Sequence, residues 1–165
     1  MKKVLIVTHS CDPGEMFRAR GWEAQYIVNE LGIHDAIEIH GREPFDLLCF
    51  TGGADLNPKL YGEEPTGAYA WNDRRDELEI SSYQQFVGRL PIVGICRGAQ
   101  LLCVMNGGRL IQHRGGHSGD HDVLILNDAE SPRGGEVITI REDHHQCMVR
   151  GHELGPTFFI WGQDV

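Results

Sequence analysis

Residues 91–100, Pro91-Ile92-Val93-Gly94-Ile95-Cys96-Arg97-Gly98-Ala99-Gln100, decide how this chain folds. The apolar run Ile92, Val93 and Ile95 suits a strand covered on both faces, and Ala99, Gln100, Leu101, Leu102, Val104 and Met105 continue as a helix. A strand that turns directly into a helix draws two backbones together, and Gly94 and Gly98 stand where side chains would clash. The G-x-C-x-G pattern therefore predicts a sharp elbow with Cys96 at its tip. At a helix N-terminus a thiolate feels the positive end of the backbone dipole, which makes the sulfur nucleophilic near neutral pH. A buried structural cysteine is the competing reading of any lone Cys. Both glycines, the strand before and the helix after weigh against it.

A second glycine turn supports the first. Residues 46–55, Asp-Leu-Leu-Cys-Phe-Thr-Gly-Gly-Ala-Asp, form an apolar strand that ends in Thr51-Gly52-Gly53. In a parallel sheet the carboxyl ends of strands share one edge, so the amide of Gly53 is expected to meet the amide of Arg97 beside Cys96 as an oxyanion hole. Alone, the double glycine reads equally well as an ordinary strand-to-loop turn.

The surrounding order of elements alternates. Residues 3–8 read as a strand and residues 13–31 as a helix, with Met16, Ala19, Ala24, Ile27, Val28 and Leu31 approximating an apolar stripe interrupted by Gly21. Residues 36–40 and 45–51 read as strands, followed by a loop with Pro58 and Pro65 that reaches Asn72. Asp73 is placed to cap a helix over residues 74–88. Beyond Gly107-Gly108 the alternation fades into strands at residues 110–113, 123–126 and 136–140. Strand–helix–strand order predicts a mostly parallel α/β sheet with right-handed crossovers and ligands at its carboxyl edge.

Composition fits one enzyme-sized domain spanning residues 1–165, long enough to bury a core. No apolar run approaches the length that spans a bilayer, and Met1-Lys2-Lys3 leads straight into Val4-Leu5-Ile6-Val7 as a first strand rather than a signal peptide. A cytoplasmic location is expected. The five cysteines, Cys11, Cys49, Cys96, Cys103 and Cys147, are odd in number without framework spacing and read as reduced thiols. A net charge of −9, from 24 acids against 15 bases, argues against nucleic acid and anionic membranes as partners.

His113, His117 and His121 recur every four residues with Asp120 and Asp122 among them, a metal-binding face if the segment were helical. The intervening Arg-Gly-Gly and Ser-Gly-Asp disfavour a helix, so the stretch reads as a loop and no metal or cofactor is expected. Asp73-Arg74-Arg75-Asp76 with Glu79 reads as a solvated helix face.

Taken together, FTGGADLNPKLYGEEP (50–65), NDRRDELE (72–79), PIVGICRGAQLLCVMNGGRLIQH (91–113) and DHHQ (143–146) resemble the class I glutamine amidotransferases, most closely their gamma-glutamyl hydrolase branch. The resemblance runs from about Asp46 to Gln146. It implies a flavodoxin-like, doubly wound domain with helices on both faces, which cleaves the γ-amide of glutamine or of a γ-glutamyl compound through a cysteine thioester. By that match Cys96 is the nucleophile, Gly53 and Arg97 supply oxyanion amides beside Gly52, Gln100 helps hold the substrate's amino acid end, and His145-Gln146 line the pocket. The resemblance also draws Arg75 and Asp76 toward the edge of the site. The implied partners are a small γ-glutamyl substrate or glutamine, with a synthase subunit as recipient of ammonia.

One departure matters. The family carries a late His-Pro-Glu motif, its histidine a general base oriented by the glutamate, and this sequence contains none. It runs to Phe158-Phe159-Ile160-Trp161-Gly162-Gln163-Asp164-Val165, an apolar, strand-like stretch with no helix after it, which reads as a chain cut short of that motif. A displaced base would have to be a histidine, with His145 the candidate, and a catalytically impaired binding or regulatory domain is the alternative.

Overall fold

Alternation along the first strand sets the layers. Val4 and Ile6 join Phe17 and Cys49 in one buried cluster, whereas Leu5 and Val7 join Leu48, Phe50, Leu78 and Leu101 in another. Successive strand side chains point to opposite faces, so two clusters mean a sheet buried on both sides. The computed structural model describes residues 1–8, 13–28, 45–115, 119–125, 135–142, 145–149 and 162–164. Their elements in chain order are β1 (Lys3–Thr8), α1 (Gly14–Arg18), β2 (Glu23–Val28), β3 (Leu47–Phe50), a 3₁₀ turn (Pro58–Tyr61), α2 (Asp73–Phe86), β4 (Ile92–Gly94), α3 (Arg97–Met105), β5 (Leu110–Ile111), β6 (Gly119–Ile125), β7 (Val137–Glu142), β8 (Cys147–Met148) and β9 (Gly162–Asp164).

β2, β1, β3 and β4 lie side by side in that order, every neighbouring pair parallel. Helices cover both faces. Phe17 of α1 packs on the Val4–Ile6 side, while Leu78 and Phe86 of α2 and Leu101, Leu102 and Val104 of α3 fill the opposite one. Two smaller antiparallel sheets follow, β5 with β8 and β6 between β7 and β9. The β5–β8 pair matters most here, because it carries residues 145 and 146 back toward α3.

The structure corrects the reading of residues 13–31. The helix stops at Arg18, Gly21 turns the chain at φ 77°, and Glu23–Val28 is a strand parallel to β1. Ala24 and Tyr26 pack on one face of the sheet and fully buried Ile27 on the other, an alternation hidden by the i, i+3, i+4 spacing of Ala24, Ile27 and Val28. A second correction concerns α2, whose N-cap is Asn72 and not Asp73. The Asn72 side chain accepts from the Arg75 N–H at 3.1 Å, and Asp73 takes a first-turn place that suits the helix dipole. Residues 119–122, read as loop, begin β6. Residues 29–31, the strand expected at residues 36–40 and His117 lie outside the described residues. No helix among the described residues is long and apolar enough to cross a membrane.

Close approach explains the elbow glycines. A Cβ on Gly94 would fall on the backbone of Gly98, and one on Gly98 would lie 2.7 Å from the carbonyl carbon of Phe50 and 2.9 Å from its Cβ. A Cβ on Gly115 would meet nothing within 4 Å. We therefore expect Gly98→Ala to lower stability by about 1–3 kcal/mol through forced backbone shifts, and Gly115→Ala to stay within about 0.5 kcal/mol of the parent. Urea unfolding midpoints check this; equal shifts for the two variants would remove close packing as the reason for Gly98.

Candidate active site

Cys96 sits between β4 and α3 with φ 55° and ψ −115°, one of two non-glycine residues at positive φ among the described residues. Such a conformation costs of the order of 1–3 kcal/mol and persists only where its surroundings impose it. Three hydrogen bonds impose it here. Ile95 N–H donates to Phe50 O at 3.0 Å, Gly98 N–H to Ile95 O at 3.0 Å, and Ala99 N–H to Cys96 O at 2.9 Å. The result is an exposed Cys96 at the N-cap of α3, while Cys49 and Cys103 are buried and Cys147 is intermediate. Burial also pushes the Cys103 thiol above its ordinary pKa.

The Thr51–Gly53 turn lies at the same sheet edge. β3 and β4 are parallel with Phe50 opposite Gly94, so Thr51 leaves one strand where Ile95 leaves the next. Gly53 adopts φ 148°, and a Cβ there would run into the Arg75 guanidinium. The sequence thus brings together Gly52, Gly53, Cys96 and Arg97, as the parallel order requires.

Beneath this edge lies a cluster of four buried charges. Arg75, Asp76, Glu79 and Arg97 are each no more than 3% exposed. Arg97 pairs with both Asp76 and Glu79, and Arg75 Nε donates to Glu79 Oε1 at 2.8 Å. Arg75 Nη2 also donates to Gly52 O at 2.9 Å and Thr51 O at 3.3 Å. Asp76 accepts from the Asn57 N–H at 3.2 Å. Burial pushes the Asp76 carboxyl up to about 6, against the pull of Arg97 and the Asn57 amide. Two arginines thus face two acidic side chains within the cluster. The expected solvated helix face is therefore wrong for Arg75, Asp76 and Glu79: positions i, i+1 and i+4 of α2 face the turn and the elbow, where opposite charges meet them.

Gln100, His145 and Gln146 close the far side. Gln100 Nε2 donates to Gln146 O at 2.7 Å, tying α3 to the segment before β8. Gln146 is 1% exposed and its amide is committed to Leu56, accepting from its N–H at 3.0 Å and donating to its carbonyl at 3.2 Å. Gln146 thus shapes the wall as a brace on the backbone just past the glycine turn. His145 lies in a group that the sequence did not mark. Its Nε2 is 3.0 Å from Asp55 Oδ2, its Nδ1 is 3.1 Å from His113 Nδ1, and its ring stacks on Tyr69 at 4.4 Å between centroids. The Tyr69 N–H donates to the same Asp55 oxygen at 2.8 Å. Gln112, also unmarked, accepts from the N–H groups of Thr66, Gly67 and Ala68 at 2.8, 3.2 and 3.3 Å and so folds the loop that carries Tyr69. Only its place beside His113 offered a clue. No group of three or more His, Cys, Asp or Glu among the described residues is arranged to hold a metal ion.

The contacts make a closed circuit. From Arg97 it passes through Glu79 and Arg75 to Gly52, along the chain to Asp55 and Leu56, across to His145 and Gln146, and through Gln100 back to α3. Such an arrangement offers an exposed thiol at a helix terminus, amides at one sheet edge and an aromatic, acid-backed wall.

Known proteins share this architecture. The structure superposes on a glutamine amido transferase from Methylobacillus flagellatus with a TM-score of 0.61 at 16% identity, covering 90% of this chain and 57% of that one, which shows the flavodoxin-like fold. A Lactococcus lactis subsp. lactis protein described as glutamine amidotransferase-like, YvdE, is 37% identical over 112 residues, 67% of this chain and 44% of its own length. The small chain of carbamoyl phosphate synthase from Clostridium acetobutylicum is 28% identical over 118 residues, 66% of this chain and 33% of its own. The chain thus spans less than half the length of these two relatives. The Peptidase C26 family model matches residues 37–150, which include the glycine turn, the charge cluster, the elbow and His145-Gln146, and the chain belongs to that family.

Proposed function

We propose that this chain hydrolyses the γ-amide of glutamine or of a γ-glutamyl compound through a thioester on Cys96. The observation that carries the reading is the backbone of Cys96, bent to φ 55° at the start of α3 and leaving the sulfur exposed at the edge where the Gly52-Gly53 turn also ends. A residue is held in so unfavourable a conformation where its placement serves a purpose.

In this mechanism the Cys96 thiolate, favoured by the positive end of α3, attacks the γ-carbonyl carbon. The carbonyl oxygen takes up the negative charge and is held by the amides of Gly53 and Arg97. The C–N bond then breaks, and ammonia or an amine leaves with an added proton. Water attacks the thioester, releases the γ-carboxylate and returns the thiol. Gln100 and the His145-Gln146 wall position the amino acid end of the substrate. The similarity of residues 50–65 to the gamma-glutamyl hydrolase branch favours release of an amine into solution, in the cytoplasm.

One other reading has its own support. The likeness to a carbamoyl phosphate synthase small chain favours delivery of ammonia to a synthase partner.

Iodoacetamide near neutral pH is expected to alkylate Cys96 on the order of tenfold faster than Cys49 or Cys103, since among the described cysteines only Cys96 combines exposure with a helix N-terminus. Peptide mapping reads the order of labelling, and faster reaction at Cys11 or Cys147 would sink the assignment.

Ammonia release from glutamine and amine release from γ-glutamyl amines test the reaction itself. Cys96→Ala should abolish both. If His145 carries the proton, His145→Ala should lower kcat by about 10²- to 10⁴-fold, the usual contribution of general acid–base catalysis. Full activity in His145→Ala would exclude it as the base and leave it a wall residue. Hydrolysis that survives Cys96→Ala would refute the thioester.

A further inference from the structure

The oxyanion reading above needs two peptide N–H groups held in fixed directions, and glycine turns flip easily. We propose that Arg75 and Glu79 are positioning residues that lock the Gly52–Gly53 peptide and tie it to the Cys96–Arg97 peptide through one buried carboxylate. The inference rests on the reading of Gly53 and Arg97 as oxyanion donors.

Peptide geometry supplies the first step. The carbonyl of Gly52 and the N–H of Gly53 belong to one planar trans unit, so they point in opposite directions. Arg75 Nη2 donates to that carbonyl at 2.9 Å. The same nitrogen donates to Thr51 O at 3.3 Å, so two successive carbonyls turn toward one guanidinium. The Gly53 N–H is thereby turned away from Arg75. A flipped peptide would aim this N–H at the cation and leave Nη2 without its nearer acceptor. The guanidinium also lies against Gly53 Cα, because a Cβ there would stand 3.0 Å from Arg75 Cζ. That space forbids a side chain and confines the turn.

The second donor is fixed by the helix. Cys96 O accepts from Ala99 N–H at 2.9 Å and Gln100 N–H at 3.2 Å, so it points along α3, and the Arg97 N–H of the same peptide points out of the helix start. Its side chain enters the charge cluster, where it pairs with Asp76 and Glu79. Glu79 joins the two halves, with Oε1 accepting from Arg75 Nε at 2.8 Å and Oε2 from Arg97 Nη1. The separation of the two peptides is thus set by the width of one carboxylate between two guanidinium groups. Asp76 accepts from the other terminal nitrogen of Arg97, Nη2, so each of the two arginines meets a carboxyl group.

Two variants test this. Arg75→Lys keeps the charge and loses the planar fork, while the double variant Arg75→Gln/Glu79→Gln removes the lock and leaves Arg97 balanced by Asp76. In folded protein, each is expected to lower kcat for γ-glutamyl hydrolysis by about 10²- to 10³-fold, as loss of an oxyanion donor does, with KM and the alkylation rate of Cys96 within about threefold of the parent. A merely structural role would instead move melting temperature, KM and alkylation together, and that pattern overturns the proposal. Crystal structures of the variants give a readout independent of activity. We expect the Gly52–Gly53 peptide to rotate or to occupy two orientations; an unchanged peptide in both variants overturns the proposal. If the parent hydrolyses no γ-glutamyl amide and the peptide still turns in the variants, the lock stands and the assigned reaction fails. If the parent is active and the peptide does not turn, the reaction stands and the lock fails.

Discussion

A fully buried carboxylate gripped by two guanidinium groups is the interaction on which the candidate site's edge depends. Removing four charged groups from solvent is so unfavourable that the cluster is tolerable only while every charge faces an opposite one. That condition admits one arrangement of the surrounding backbone. The start of α2, the end of β3 and the start of α3 are each attached to the cluster by at least one side chain or carbonyl, so none shifts without exposing an uncompensated charge. The hydrophobic sheet beneath fixes where the strands end, and the charges fix how the chain leaves them.

Neutral amides do comparable work on the other side. Gln146 presents an acceptor and a donor to the backbone of Leu56, and Gln112 gathers three consecutive N–H groups of a loop while its nitrogen donates to Glu63 and Glu64. Backbone groups in a loop have no ladder to satisfy them, and a glutamine side chain, which mimics a peptide unit on a short tether, fills the need. The wall that holds His145 is therefore ordered without regular secondary structure.

How much of this was legible in the sequence follows from the range of each interaction. The elbow was legible because strand, helix and both glycines are consecutive, and the shared edge was legible because parallel strands leave no other choice. The strand at Glu23–Val28 was misread, since Ala24, Ile27 and Val28 have the i, i+3, i+4 spacing of a helical stripe, whereas in the sheet Ala24 and Tyr26 pack on one face and Ile27 on the other. Arg75, Asp76 and Glu79 carry the charge spacing of any exposed helix, and nothing local says that Arg97 comes from 18 residues beyond Glu79 to neutralise them. Asp55, Tyr69 and His113 gather around His145 by the same long-range closure. Pairings of this kind are set by the fold and leave no periodic trace along the chain.

The bent backbone at Cys96 has a thermodynamic consequence. A conformation that glycine adopts freely and cysteine resists means that the folded state carries strain at the residue proposed as the nucleophile. A glycine at position 96 relieves that strain without disturbing the contacts at Gly94 and Gly98, so the most stable version of this elbow is an inert one. On the proposed mechanism, robustness and reactivity are traded against each other at a single side chain, and a selection for thermal tolerance alone would be drawn toward discarding that thiol.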